Sequence, residues 1–136
     1  MPLPRRGAPP IDRVISADTS RMMREIMRRN VIQANGTGRR AEVAGFDVGG
    51  KTGTAEMAGV GGYQKKSVIA SFLAAFPMSA PRYVLLVTLV EPKVPLKPLA
   101  GSQGEAKDQI TAGVNAAPVA ARVIARTAPL LGVIPR

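Results

Sequence analysis

Lys51, Thr52, Gly53 and Thr54 set an ammonium, two hydroxyls and a bare stretch of backbone side by side. Together these groups suit an anion, and two chemistries use them. With Gly45 and Gly50 counted in, the spacing reads G-x-x-x-x-G-K-T, the pattern of a phosphate-binding loop. Read instead as a strand, Lys51 is a fixed cation beside a nucleophile or a substrate carboxylate. The hydroxyls of Thr52 and Thr54 can hydrogen-bond that carboxylate. Gly53 leaves room for a peptide to approach and pair with the strand edge, and the Thr54 N–H can face a developing oxyanion. Taken alone, the three letters K-T-G also fit a plain strand end with an exposed lysine.

The elements that must position these residues separate the readings. A phosphate loop needs a helix to begin at once, so that loop amides and the helix N-terminus meet the phosphates. Here Gly53, Thr54 and Ala55 follow, and then Gly59, Gly61 and Gly62, which is poor helix material. There is no alternation of strands and helices, and the strand that could offer an acidic magnesium ligand ends in Glu91-Pro92 rather than in aspartate. The pattern offers an extended "KTGTAEM", with Thr52 and Thr54 favouring a strand.

Upstream, "ISADTSRMMREIMRRN" reads as a helix with Ser16 as N-cap, Asp18 in the first turn and Asn30 at the stop. Met22, Met23, Ile26 and Met27 form its apolar face and are expected in the core, with Arg21, Arg24, Arg28 and Arg29 largely opposite. "QANGTGRRAEVAGFDVGG" is loop-rich, with Val43 to Val48 expected extended. Downstream, "AGVGGY" is a glycine turn, "SVIASFLAAF" a buried strand stopped by Pro77, and "YVLLVTLV" the clearest strand of the sequence. Short turns between them predict an antiparallel meander. "KVPLKPLAGSQGEAKDQ" is a long, proline-spaced polar loop. "AAPVAARVIARTAPLLGV" reads as a helix with Pro118 in its first turn and Val119, Val123, Ile124 and Ala128 on one side. Residues 1–10 are an irregular lead-in without the apolar stretch of a secretion signal. The fold class expected is α+β: an antiparallel sheet of about three strands with an N-terminal and a C-terminal helix packed on it.

The 136 residues are 46% apolar, enough for a core and for one domain or part of one. The absence of cysteine rules out disulfides, thiolate zinc sites and a Cys nucleophile, and the absence of histidine removes the commonest general base and metal ligand. A net charge of +10 favours polyanionic surroundings, but the basic residues are spread out, and with no Trp, two Tyr and three Phe a base-stacking platform is poor; a nucleic-acid partner is not expected. The longest apolar region, Ala116 to Ile134, carries Arg122, Arg126 and two prolines and does not read as a membrane span.

The blocks "RVISADTSRMM", "GTG", "FDVGGKTGTAEM", "GGYQKKSVIASFLAAFPMSAPRYVLLVTLVEPK" and "NAAPVAARVI" occur in an order that resembles the C-terminal end of a class B penicillin-binding protein, a bacterial D,D-transpeptidase of the septal type. The likeness covers roughly Ile11 to Pro135 and implies a partial penicillin-binding transpeptidase fold, similar to the serine β-lactamases. It implies that residues 11–136 are the C-terminal portion of a larger transpeptidase domain. Lys51 and Thr54 would be catalytic. Thr52, Gly53 and Thr54 would hold the donor, with the Thr54 amide as half of an oxyanion hole. Stem peptides and β-lactams would be the ligands of the parent protein, the rest of the domain a partner, and the periplasmic face of the inner membrane the location. No metal or organic cofactor is implied.

Family members also use an S-x-x-K serine and an S-x-N motif. Ser16, Ser20, Ser67, Ser71, Ser79 and Ser102 each lack Lys at the third following position and Asn at the second. The chain alone is therefore expected to be inactive, to leave a sheet edge and apolar helix faces uncovered, and to self-associate. Two alternatives stand beside this reading: a non-catalytic basic module that binds peptide or anionic partners, and the nucleotide-binding loop.

Overall fold

Ser16 begins the first helix, α1 (Ala17–Ile32), by accepting a hydrogen bond from the Thr19 N–H at 3.0 Å, and Asp18 lies in the first turn. The computed structural model describes residues 12–59, 62–93 and 111–136. The lead-in at 1–10, the glycine turn at 60–61 and most of the proline-spaced loop lie outside the described residues. Helix α1 continues past Asn30, the expected stop, to Ile32, and closes where the Gln33 N–H donates to the Arg29 carbonyl at 2.9 Å. The Asn30 side chain does not cap the helix because other partners, described below, occupy it.

The face of α1 that turns inward is not the expected one. Met22, Met23 and Ile26 are 50%, 47% and 58% exposed, and Met27 is half-buried. The inward stripe is Ser20, Arg24, Met27, Arg28 and Val31, a helical spacing in its own right. Arg24 and Arg28 face inward because carbonyls and carboxylates wait for them. The Arg24 Nη1 donates to the carbonyls of Met78 and Ser79, both at 3.2 Å. Arg28 pairs with Glu42, with Asp47 through Nε at 3.1 Å, and with the Val48 carbonyl at 2.8 Å. Val31 alone on this helix reaches the core.

The sheet is the expected meander. Strands β1 (Gly49–Gly59), β2 (Gly62–Phe76) and β3 (Tyr83–Val90) pair antiparallel in the order β1-β2-β3. Strand β2 buries Val68, Ala70, Phe72, Ala74 and Phe76 but exposes Leu73, so it is buried on one face rather than on both. Register places Val87 opposite Phe72 and Leu85 opposite Ala74, which brings the half-buried Tyr83, Leu85, Val87 and Leu89 of β3 to the same face. The second helix, α2 (Ala116–Thr127), covers that face with Ala116, Ala117, Ala120 and Ile124. Val119 and Val123, read on one side with Ile124 and Ala128, are only half-buried. Alanines take the closest positions because a short side chain lets the helix axis approach the sheet. The opposite face, with Leu73, Val84, Leu86 and Val90, is exposed.

Residues 43–48 are not extended. Gly45 (φ 85°) and Asp47 (φ 51°) turn the chain before β1. A positive φ is unfavourable for aspartate unless surrounding bonds fix it. Asp47 has three: its carboxylate accepts from Arg28 Nε and from the Ser79 N–H at 2.6 Å, and its carbonyl accepts from the Met78 N–H at 2.8 Å. Further along, the β1–β2 ladder is regular from Gly49↔Ala75 to Glu56↔Val68 and resumes at Ala58↔Tyr63, so Met57 alone faces residues 64–67. Behind that irregularity, the Ser67 hydroxyl donates to Glu91 at 2.6 Å and the Glu91 N–H to the Val68 carbonyl at 2.9 Å.

The reversed polarity of α1 gives a contrast to measure. Arg28→Met removes charge-assisted bonds and should lower unfolding free energy by about 2 kcal/mol. Met22→Ser, on the apolar but exposed face, should stay within about 0.5 kcal/mol of the parent. Chemical denaturation of both variants checks the pair, and the opposite ranking would restore the methionine core.

Candidate active site

The expected tetrapeptide lies inside β1, with Lys51, Thr52, Gly53 and Thr54 opposite Leu73, Phe72, Ser71 and Ala70. No helix starts after it, which removes the phosphate-loop reading: that geometry needs the lysine at a helix N-terminus. Among the described residues β1 pairs with β2 only, so its other edge presents backbone N–H and C=O groups to whatever lies alongside.

Strand alternation divides the four residues between two faces. Lys51 and Gly53 share the exposed face with Leu73. Thr52 and Thr54 share the covered face with Phe72 and Ala70. The Lys51 ammonium nevertheless bends back over the strand, donating to the Thr52 carbonyl at 2.8 Å and approaching the Thr52 hydroxyl at 3.4 Å. The cation and both hydroxyls therefore belong to one rim.

Below that rim is a cleft of about 660 Å³ lined by Thr37, Arg39, Arg40, Thr52, Thr54 and Ala112, among others. Among the described residues that line it there is no carboxylate, and Arg39 and Arg40 stand there with Lys51 at the rim above, so its described walls are cationic. Its far wall, residues 111–114, is tied to the strand by the Ala112 N–H, which donates to the Thr54 hydroxyl at 3.2 Å. That wall also comes close to Thr37: a Cβ on Gly113 would lie 2.5 Å from the Thr37 carbonyl. The near wall is held by Asn30. Its Nδ2 donates to the Gly50 carbonyl at 2.9 Å, and its Oδ1 accepts from both the N–H and the hydroxyl of Thr37 at 3.0 Å. Thr37 in turn meets the Thr52 hydroxyl at 2.9 Å.

Two glycines of β1 stand in contrast. At Gly50 an added Cβ would lie 2.5 Å from the Leu73 carbonyl and 2.5 Å from the Phe72 ring, so the fold itself requires glycine there. At Gly53 the nearest atom would be the Ser71 carbonyl at 4.0 Å, and the backbone φ is not positive. Nothing within the described chain needs glycine at that position. The space beside it leaves room for another backbone to draw up against the strand.

This arrangement can bind an extended chain along an edge and hold an anionic group at its end. Its described lining contains neither serine nor cysteine. No group of His, Cys, Asp or Glu among the described residues could hold a metal ion. Asn30, Thr37, Arg39, Arg40 and Ala112 were not singled out from the sequence as site residues. The only local signal was the glycine pair bracketing Thr37 in "NGTGRR".

The family model described as the penicillin-binding protein transpeptidase domain matches residues 8–116. A probable peptidoglycan D,D-transpeptidase FtsI of Caulobacter vibrioides is 42% identical over 128 residues, covering 89% of this chain and 20% of that protein. A probable peptidoglycan D,D-transpeptidase PenA of Neisseria flavescens is 38% identical over 94% of this chain and 28% of its own length. Among solved structures, the transpeptidase domain of Burkholderia pseudomallei penicillin-binding protein 3 superposes with a TM-score of 0.72 at 32% identity, covering 92% of this chain and 34% of that one. Penicillin-binding protein 3 of Mycobacterium tuberculosis, complexed with ampicillin, gives 0.70 at 26% identity, covering 90% and 26%. The chain thus spans between about a fifth and a third of the length of these four proteins.

The two glycines should respond oppositely to the same substitution. Gly53→Ala should leave stability unchanged or raise it by about 0.5 kcal/mol, as expected for a strand position with open space. Gly50→Ala should cost about 1–3 kcal/mol through overpacking. Thermal or denaturant unfolding of the two variants checks this.

Proposed function

The chain belongs to the penicillin-binding protein transpeptidase family, and from that premise we propose that it supplies the K-T-G wall of the donor-peptide cleft in a D,D-transpeptidase that cross-links peptidoglycan during cell division. The observation that carries this reading is Gly53: a glycine the fold does not need, on an edge with no described strand beside it, between two hydroxyls that line a cationic cleft.

In this reading an extended acyl donor pairs with the free edge of β1, and Gly53 keeps that approach clear. Thr52 and Thr54 hold its terminal carboxylate, with Lys51 as the nearby cation. The Thr54 N–H is one of the donors that stabilise the tetrahedral oxyanion. A serine from elsewhere in the longer protein attacks the penultimate D-alanine carbonyl, forms an acyl-enzyme and releases the terminal D-alanine. The amine of a neighbouring stem peptide then displaces the serine and completes the cross-link. β-Lactams occupy the same cleft as mimics of the donor. Residues 11–136 act as the C-terminal portion of the transpeptidase domain, placed at the periplasmic face of the bacterial inner membrane. Among the described residues no helix is long and apolar enough to cross a membrane.

The remaining domain covers what this chain leaves open: Leu73, Val84, Leu86 and Val90 on the sheet, and Met22, Met23 and Ile26 on α1. Without that cover the chain self-associates. Light scattering should show dimers or larger species growing with concentration, and a monomer at high concentration would count against it.

Labelled penicillin tests the function directly. A longer gene product that carries this segment after an S-x-x-K serine should become covalently labelled, whereas the 136-residue chain should not. In the longer product Lys51→Ala should slow acylation at least about 100-fold, on the scale of losing a transition-state contact. Undiminished labelling of that variant would remove Lys51 from the chemistry.

A further inference from the structure

The hydrogen-bond directions around Thr37 can be followed atom by atom. The Asn30 amide has one orientation only: Nδ2 faces the Gly50 carbonyl, an obligate acceptor, and Oδ1 faces the Thr37 N–H, an obligate donor. The Thr37 hydroxyl has a single proton, and it goes to the same Oδ1 at 3.0 Å. Its contact with Thr52 at 2.9 Å can then be made in only one sense, with Thr52 donating and Thr37 accepting. The Thr52 oxygen is left with lone pairs turned towards the Lys51 ammonium, 3.4 Å away. Thr54 is arranged differently. Its oxygen accepts from the Ala112 N–H at 3.2 Å, which leaves its own proton to donate.

We propose that Thr37, locked by Asn30, is a positioning residue for the anion site: it fixes the rotamer of Thr52 and holds that hydroxyl's proton until an anionic group takes it. The two rim threonines are then unequal. Thr54 can donate to an incoming carboxylate at once, and Thr52 does so by rotating its proton away from Thr37. The proposal rests on the reading of this cleft as a carboxylate site, and it adds a residue from a separate loop to the tetrapeptide. The device is local: it joins the end of α1, the Thr37 loop and β1 through hydrogen bonds alone.

The test uses the chain itself and two variants. Thr37→Ser keeps the hydroxyl, whereas Thr37→Val keeps the shape and loses it. Scalar couplings to the Thr52 methyl carbon by NMR report its rotamer. A single rotamer is expected in the parent and in Thr37→Ser, and averaging in Thr37→Val. Unchanged couplings in Thr37→Val would overturn the positioning role. The second arm titrates N-acetyl-D-alanyl-D-alanine while following the Thr52 and Thr54 amides. Thr37→Val should bind about 5-fold more weakly, the equivalent of one net hydrogen bond, with Thr37→Ser near the parent. Equal affinity in all three would overturn the link to binding. If no variant responds to the peptide, the carboxylate reading of the cleft fails, and the couplings still decide whether Thr37 positions Thr52.

Discussion

The guanidinium of Arg28 engages three acceptors on the segment that delivers the chain into β1: the Glu42 carboxylate, the Asp47 carboxylate and the Val48 carbonyl. This charged fork is what the geometry of the site depends on. Its side chain is 25% exposed, so the bonds are partly shielded from water and each counts for more than a surface pair would. Asp47 passes the constraint on, because its other oxygen and its carbonyl hold the Ser79 and Met78 amides just before β3. One helix side chain thereby ties the entry of β1 to the turn between β2 and β3. The register that sets Lys51 and Thr52 on opposite faces begins two residues after Asp47, at Gly49. A slip there would exchange the faces of every rim group.

Much of this was legible in the sequence because the relevant physics is local. The Ser16 cap, the strands at "SVIASFLAAF" and "YVLLVTLV", and the order of three strands followed by a helix all come from neighbours in the chain. So did the extended state of Lys51 to Thr54, since glycines just beyond them oppose a helix. The misreadings share one cause. Assigning the α1 methionines to the core counts apolar surface but does not see the carbonyls of Met78 and Ser79, which draw Arg24 inward from more than fifty residues away. Reading residues 43–48 as extended follows the valines and misses that Asp47 is held at positive φ by distant donors. Thr37 escaped notice for the same reason: its place in the site comes through Asn30 and the fold.

The cleft divides labour among its elements. Strand β1 supplies the hydroxyls, the ammonium and a clear edge. The loop around Thr37 supplies arginines and fixes one hydroxyl. The segment at Ala112 closes the far side and engages the other. The described lining holds no serine or cysteine, and the chain covers 34% of the Burkholderia pseudomallei transpeptidase domain it resembles. The sheet face away from the cleft carries exposed Leu73, Val84, Leu86 and Val90, an apolar surface of the kind that partners cover.

The interrupted ladder between Glu56 and Ala58 has a mechanical meaning. Where one residue faces four, the regular pairing stops, so the register at Ala58↔Tyr63 does not dictate the register at the rim. The Ser67–Glu91 clasp stands immediately behind the break and anchors the regular portion. The pairing beyond the break therefore places no constraint on the spacing between Lys51 and Thr54, which the regular portion alone sets.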